Sequence, residues 1–402
     1  MTKRAQGGLA FIAAALTSNM LAVYTFYGLM AALLVELSDE FGTTVPFMAQ
    51  QITITAVTWG LLAPLLGPLS DRIGHKRMLT TGLVILGIAL FGYSVSPGVG
   101  ALIASSILAG IGGAVMGPNI LASVADYFST NTYGRAMSVV NTAAPLAYLI
   151  GVPLLVLVVG SFGWRWSFVV LAAFVLVSAV IVAIVLPFIR PTASDKSRAY
   201  LSSFSEALRQ RRFLPIVLAN TIFNGAYWAV AAYLAAFLIR SYTLNTAELA
   251  PLISSMAVGQ LVGVLAGGPL ADKFNKTAIC TITSVSLGIM GLILMLTAQN
   301  VWLSVFMGGL FMGVYGSNRP AYFALMALVS SSVRGTVMGI QAVSNHMGRA
   351  LGTAIGGLVL GLMGYNYLGV LCLILGGLAS AIYLLVALFL RKASSSGNIS
   401  QA

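Results

Sequence analysis

The chain has 402 residues, of which 59% are hydrophobic and only 7% charged. Soluble domains carry about a quarter charged residues, so a water-soluble globule is excluded. The net charge of +12 is then read as a membrane-topology signal rather than as a nucleic-acid surface.

Backbone in lipid must satisfy its hydrogen bonds internally, which leaves helices or a closed barrel. The apolar runs reach about 20 residues and do not alternate apolar with polar, which selects helices. The opening stretch, MTKRAQGGLAFIAAALTSNMLAVYTFYGLMAALLV, has a basic start, an apolar run too long for a signal-peptide core and no small-residue cleavage site. It predicts a retained first span over 9–35. Further spans are predicted over 46–70, 78–96, 99–126, 135–160 and 167–190, then over 213–239, 248–271, 277–297, 300–330, 335–361 and 365–390. The expected architecture is an all-α membrane protein of twelve transmembrane helices in two six-helix halves, 1–190 and 213–402. A polar linker over 191–212 joins them, with a short amphipathic helix around Phe204–Leu208.

Alternation of the spans places seventeen Lys and Arg on one side with both termini and the linker, and only Arg165 and Arg240 on the other. That asymmetry predicts an inner-membrane protein with both termini in the cytoplasm. Cys280 and Cys372 lie in apolar runs with no CxxC spacing, so no disulfide, metal site or cofactor is expected.

The sequence matches itself without gaps at an offset of 201. GPLSDR (67–72) meets GPLADK (268–273), GSFGWRW (160–166) meets GLMGYNY (361–367), and Asn19, Met137 and Gly151 meet Asn220, Met338 and Gly352. Two parallel repeats of six spans are a transporter plan with the substrate site near the membrane midplane.

The stretch GPLSDRIGHKR (67–77) crowds Asp71, Arg72, His75, Lys76 and Arg77 between apolar runs. It is similar to the signature G-x-x-x-D-R-x-G-R-K/R of the major facilitator superfamily, with His75 in place of an arginine. GWRWSF, ADYFSTNTYGRAMSVV and the LIGVPLL stretch also resemble that family, the last in the Gly-Val-Pro form found in drug and metabolite efflux members of the arabinose-efflux-permease type. The resemblance covers the whole chain. It implies alternating access, with Gly67, Asp71, Arg72 and Gly74 as a cytoplasmic gate hinge and latch near the start of the eleventh span. Arg72 and Arg135 are expected to pair with Asp126, and Gly268 and Asp272 form the second copy, in which Asn275 replaces the glycine. His75, Lys76 and Arg77 are expected to anchor at anionic headgroups.

Charges at membrane depth are costly and usually functional. The first six spans offer none; the last six offer Arg319 in GVYGSNRPAYF and His346 and Arg349 in VSNHMGRALG. By resemblance the first, fourth, seventh and tenth spans line the cavity, which puts Arg319 there. No acid stands near these cations in sequence, so a cationic site for an anionic or polar substrate is expected. Asn318, Tyr315, Tyr322, Asn220, Asn224, Tyr227, Asn19, Tyr27 and Asn119 are the accompanying substrate contacts. His346 is the candidate proton carrier. The acids of proton-coupled efflux relatives on the first or fourth span are absent, and Ser106 stands near the place of their fourth-span arginine.

The expected function is a secondary transporter, not an enzyme, that exports a small polar or anionic metabolite or drug-like compound by proton antiport. Its partners are the substrate, H+ and membrane lipids, without nucleic acid, and a monomer is expected. Organic-anion uptake by symport or exchange is the rival within the class. A membrane enzyme or sensor is the rival outside it, and no catalytic motif supports that.

Overall fold

A computed structural model of the chain describes residues 3–128, 130–187, 213–297, 300–329 and 334–395. The linker over 191–212, with the helix expected around Phe204–Leu208, lies outside the described residues. All regular structure among the described residues is helical.

The first repeat contains α1 (Lys3–Ala32), α2 (Leu34–Glu40), α3 (Val45–Ile73), α4 (His75–Ser94), α5 (Val99–Tyr127), α6 (Thr130–Asn141), α7 (Ala143–Leu146), α8 (Val152–Phe162) and α9 (Trp164–Val185). The second contains α10 (Phe213–Ala231), α11 (Leu234–Tyr242), a 3-10 turn (Thr246–Glu248), α12 (Leu249–Lys273), α13 (Lys276–Leu296), α14 (Val301–Val329), α15 (Arg334–Met363) and α16 (Tyr365–Ser395). Among the described residues, ten stretches are long and apolar enough to cross a membrane by length and composition. The 29 residues of α14 and the 30 of α15 also suffice at the rise of an α-helix. Side chains such as Leu65, Ile184 and Leu362 are more than two-thirds exposed, a cost in water that hydrocarbon removes.

The repeat reappears in the backbone. Gly163 and Gly364, 201 residues apart, both take positive φ, +85° and +92°, between consecutive helices. A side chain there would be strained, so both copies keep glycine. The other pair of turns is solved twice. Gly74 turns at φ +95° between α3 and α4, whereas Asn275 stays at φ −62° and caps α13, its Oδ1 accepting from the amides of Thr277 and Ala278 at 2.9 and 3.2 Å. The missing glycine in the second copy is thus a different cap.

The GVPLL stretch breaks its helix into α7, a π-helical turn (Ala147–Gly151) and α8. Pro153 has no N–H to give the Leu149 carbonyl four residues earlier. That carbonyl instead accepts the Ser254 hydroxyl of α12 at 3.0 Å.

The chain divides into two compact units, 1–200 with 231–257, and 201–230 with 258–402. In the first, Tyr93 of α4 stacks on Phe168 of α9 at 4.8 Å, and its hydroxyl meets Ser106 Oγ of α5 at 2.6 Å. Ser106 in turn donates to Gln51 of α3, which extends a buried hydroxyl relay across three helices. In the second unit, Phe213, Ile216, Cys280, Tyr322, Leu325, Tyr383 and Val386 belong to one core. Helices there approach closely where glycines lack Cβ. A Cβ on Gly352 of α15 would lie 2.2 Å from the Gly225 carbonyl oxygen of α10.

Candidate substrate site

Three helices of the second unit, α10, α14 and α15, bring polar side chains to one point. Asn345 Oδ1 of α15 accepts from Asn220 Nδ2 at 3.0 Å, from Arg319 Nη1 at 3.2 Å and from Asn224 Nδ2 at 3.3 Å. Asn220 Nδ2 also donates to Ser344 Oγ at 2.8 Å, and Ser344 pairs with Thr221 at 2.9 Å. Asn224 Oδ1 accepts the Tyr315 hydroxyl at 3.1 Å. Asn220 and Asn224 are one helical turn apart, which sets both amides on one face of α10.

Aromatic rings wall this network. Phe223, Tyr315, Tyr227 and Phe311 stack in near-parallel order, with centroids 5.7, 3.7 and 5.2 Å apart. The Arg319 guanidinium carbon lies 5.7 Å from the Tyr315 ring and 5.5 Å from Phe323. Arg349, almost fully buried, sits 4.3 Å over Trp228, whose ring meets Tyr227 edge-on at 5.7 Å. Cation–π contact of this kind holds a guanidinium in an apolar setting without neutralising it. His346, also buried, precedes Arg349 by one turn on α15.

The structure therefore gathers Arg319, Asn220, Asn224, Tyr315 and Tyr227, with Arg349 reached through Trp228. It turns other expected contacts elsewhere. Asn318 donates to Thr283 Oγ1 of α13 at 2.7 Å, and Tyr322 is buried in the core. In the first unit Asn19 is fully buried, and neither end of its amide has a hydrogen-bond partner among the described residues. Tyr27 packs against Phe26 and Trp59. Sequence reasoning missed Asn345, Ser344 and Phe323. The signal for Asn345 was its four-residue spacing from Gln341 and Arg349, which makes one polar stripe on α15.

The charged turn differs from expectation at His75. Its Nδ1 meets Asn119 Oδ1 at 2.7 Å and its Nε2 lies 3.5 Å from Asp126 Oδ2. His75 thus ties the start of α4 to α5 instead of reaching for headgroups, and Asn119 is engaged in that tie. Arg72 is exposed. The helix backbone is described at Gly67, Asp71, Arg135 and Gly335, but their side-chain surroundings are not. In the second copy Asp272 is exposed and a Cβ on Gly268 would meet nothing. The close approach falls on Gly267, whose Cβ would lie 2.7 Å from the Ser317 carbonyl oxygen.

The family model of the Major Facilitator Superfamily matches residues 15–314 and 221–402. The chain belongs to the major facilitator superfamily. Among similar proteins, the uncharacterized MFS-type transporter YceJ of Bacillus subtilis (strain 168) is 25% identical over 350 residues, 85% of this chain and 87% of that protein. Multidrug resistance protein 2 of the same organism is 24% identical over 359 residues, covering 86% and 87%. Chloramphenicol resistance protein CraA of Acinetobacter baumannii is 23% identical over 321 residues, covering 79% and 78%. The fold is shared with a solved bacterial homolog of the human lysosomal transporter Spinster, in an inward-facing and unoccupied conformation, with TM-score 0.75, 15% identity and coverage of 96% and 97%. As a major facilitator this protein is a multi-pass inner-membrane transporter and not an enzyme.

Proposed function

We propose that this transporter exports a small polar or anionic metabolite or drug-like compound by proton antiport, as a monomer with both termini in the cytoplasm. The reading is carried by one observation: Arg319 is joined to Asn345 within a cluster of amide donors and aromatic rings. Two guanidinium groups and several amide N–H groups favour an oxygen-rich cargo, and the ring stack supplies its apolar wall. The efflux-type break at Pro145 to Pro153 and the multidrug-resistance names among the relatives support export.

In this reading residues 1–190 and 213–402 are the halves that alternate, with Gly67 to Gly74, Asp126 and Arg135 forming the cytoplasmic gate and Gly268 and Asp272 its second copy. His75 fills the arginine place of the gate motif by holding Asn119 and Asp126. His346, the second of two histidines in the chain, carries the coupling proton.

Everted membrane vesicles energised by a proton gradient test the function with a panel of organic anions, neutral polar solutes and chloramphenicol. Gradient-dependent accumulation of a polar or anionic solute, with coupling lost in His346→Gln, is expected. Accumulation with the gradient reversed would assign uptake, and full coupling in His346→Gln would remove the proton role from that residue.

A further inference from the structure

Asn345 Oδ1 is a shared acceptor. A carbonyl oxygen offers two acceptor sites, and Asn220 Nδ2 and Arg319 Nη1 reach it at 3.0 and 3.2 Å, with Asn224 Nδ2 at 3.3 Å, whose nearer acceptors are the Asn220 carbonyl and Oδ1 at 2.8 and 3.2 Å. Two of the three contacts are longer than the usual N–H···O distance of about 2.9–3.0 Å, as expected when an acceptor is shared. The acceptor is also neutral. A carboxylate in the same place would form a charge-assisted pair with Arg319 and cancel its charge. The amide orients the guanidinium and itself supplies no counter-charge. Elsewhere in 213–395 the acids are Glu248, in the capping box of the 3-10 turn, and Asp272, exposed near the end of α12.

We propose that Asn345 is the positioning residue that sets the charge preference of the transport site, by holding Arg319 through a neutral oxygen whose shared donors pass to an anionic oxygen of the cargo. The proposal rests on reading the Arg319 cluster as the cargo site, and it names the cargo's recognised group as a carboxylate, sulfonate or phosphate oxygen. When such a group enters, its anionic oxygen is a stronger acceptor for the Arg319 guanidinium than the neutral Asn345 Oδ1. Arg319, Asn220 and Asn224 each keep a partner, and no buried donor is left without one. A neutral cargo offers only a second weak acceptor and gains less.

The test is equilibrium binding to the purified full-length protein in detergent. The probes are sulfonates, which stay ionised, and the matching neutral sulfonamides on phenyl, cyclohexyl and hexyl scaffolds. Wild type is expected to bind at least one sulfonate about tenfold more tightly than its sulfonamide, the equivalent of about 1.4 kcal/mol. Asn345→Asp keeps the oxygen in place and adds the charge, so that ratio should fall to one or invert while sulfonamide binding persists. In an Arg319→Gln background the ratio should already be near one, and adding Asn345→Asp should not change it further. A role confined to packing would instead give additive effects. Should Asn345→Asp not yield folded protein, Asn345→Ala serves in its place, with sulfonate affinity lowered and sulfonamide affinity kept.

A sulfonate preference that is lost in Arg319→Gln but survives both Asn345 variants overturns the assignment of Asn345 and leaves the cationic site standing. Absence of a sulfonate preference on every scaffold in wild type overturns both.

Discussion

Arg240 and Asp39 are the same position in the two repeats, 201 residues apart, and their side chains meet as an ion pair at 2.7 Å. The other arginine that the charge count set apart, Arg165, pairs with Glu40 at 2.6 Å, and the Trp164 indole also donates to Glu40. Thr246 donates to Glu36 at 3.0 Å. Each acid of the short helix α2 thereby has a partner, Glu40 two, and the stretch from α11 to the 3-10 turn is tied to it at two points. Both members of the Arg240–Asp39 pair are at least half exposed, so the pair orients the segment more than it stabilises it. Reversing one charge, as in Asp39→Arg or Arg240→Asp, should cost about 1 kcal/mol or less, a shift of about 1 °C in the melting midpoint. The double exchange should recover it in a thermal melt of the purified protein.

Glu36 and Glu40 should respond to pH in opposite senses. Burial pushes the half-buried Glu36 carboxyl up, against the Thr246 hydrogen bond and with Glu40 adding to the rise. Burial also acts on Glu40, but hydrogen bonds from Trp164 and Arg165 and the arginine charge outweigh it and hold Glu40 below its ordinary value. A raised carboxyl binds its proton more tightly in the folded chain, so its contribution is lost as pH rises through the folded value. A lowered carboxyl contributes above its unfolded value, and that contribution is lost as pH falls through the folded value. Glu36→Gln should therefore raise the melting midpoint at neutral pH, and Glu40→Gln should lower it. Both differences should shrink on acidification, which a series of melts checks directly.

His75 should be replaceable by arginine but not by alanine. Asn119 Nδ2 donates to the Val115 carbonyl at 2.6 Å, which leaves Oδ1 as the end that faces His75. The ring must then donate from Nδ1, while Nε2 faces Asp126. A guanidinium can make both contacts as a donor; a methyl group makes neither. His75→Ala should lower stability by about 1 kcal/mol and slow transport, because the buried Asn119 oxygen loses its partner. His75→Arg should keep both near wild type in vesicle flux and thermal melts.

Two glycines of the second unit should behave unlike each other. Gly352→Ala drives a methyl into the Gly225 carbonyl and should cost about 1–3 kcal/mol by overpacking. Gly268→Ala points into open space and should leave the melting midpoint near wild type. Comparable losses at both positions would contradict the packing described for α15 against α10.

Most of the architecture was legible because it rests on long-range regularities. Apolar run lengths gave the helices, and the 201-residue offset gave the two repeats, with the paired positive φ of Gly163 and Gly364 as its backbone trace. Arg319 and Arg349 stood out in sequence as charges within apolar runs, and the structure sets them beside Tyr315 and over Trp228. What escaped depends on which face of a helix meets which neighbour. Asn345 is an ordinary polar residue beside a histidine, and only the convergence of α10, α14 and α15 makes its oxygen a shared acceptor. Asn318 and Tyr322 flank Arg319 in sequence but turn toward α13 and the core. In the second copy of the charged turn the close helix approach falls on Gly267 and not on the motif's Gly268. The pairing of the α2 acids was not legible, because the arginine partners of Asp39 and Glu40 lie more than 120 residues away.

The most direct measurement of the central claim is solute accumulation by proteoliposomes that hold the purified protein under an imposed proton gradient and are offered a fractionated cell extract, with mass spectrometry as the readout. Gradient-dependent enrichment of a polar or anionic solute is predicted, with its apparent affinity lowered about tenfold in Arg319→Gln and in Arg349→Gln. Enrichment of only apolar or cationic solutes, or affinities unchanged by both substitutions, would contradict it.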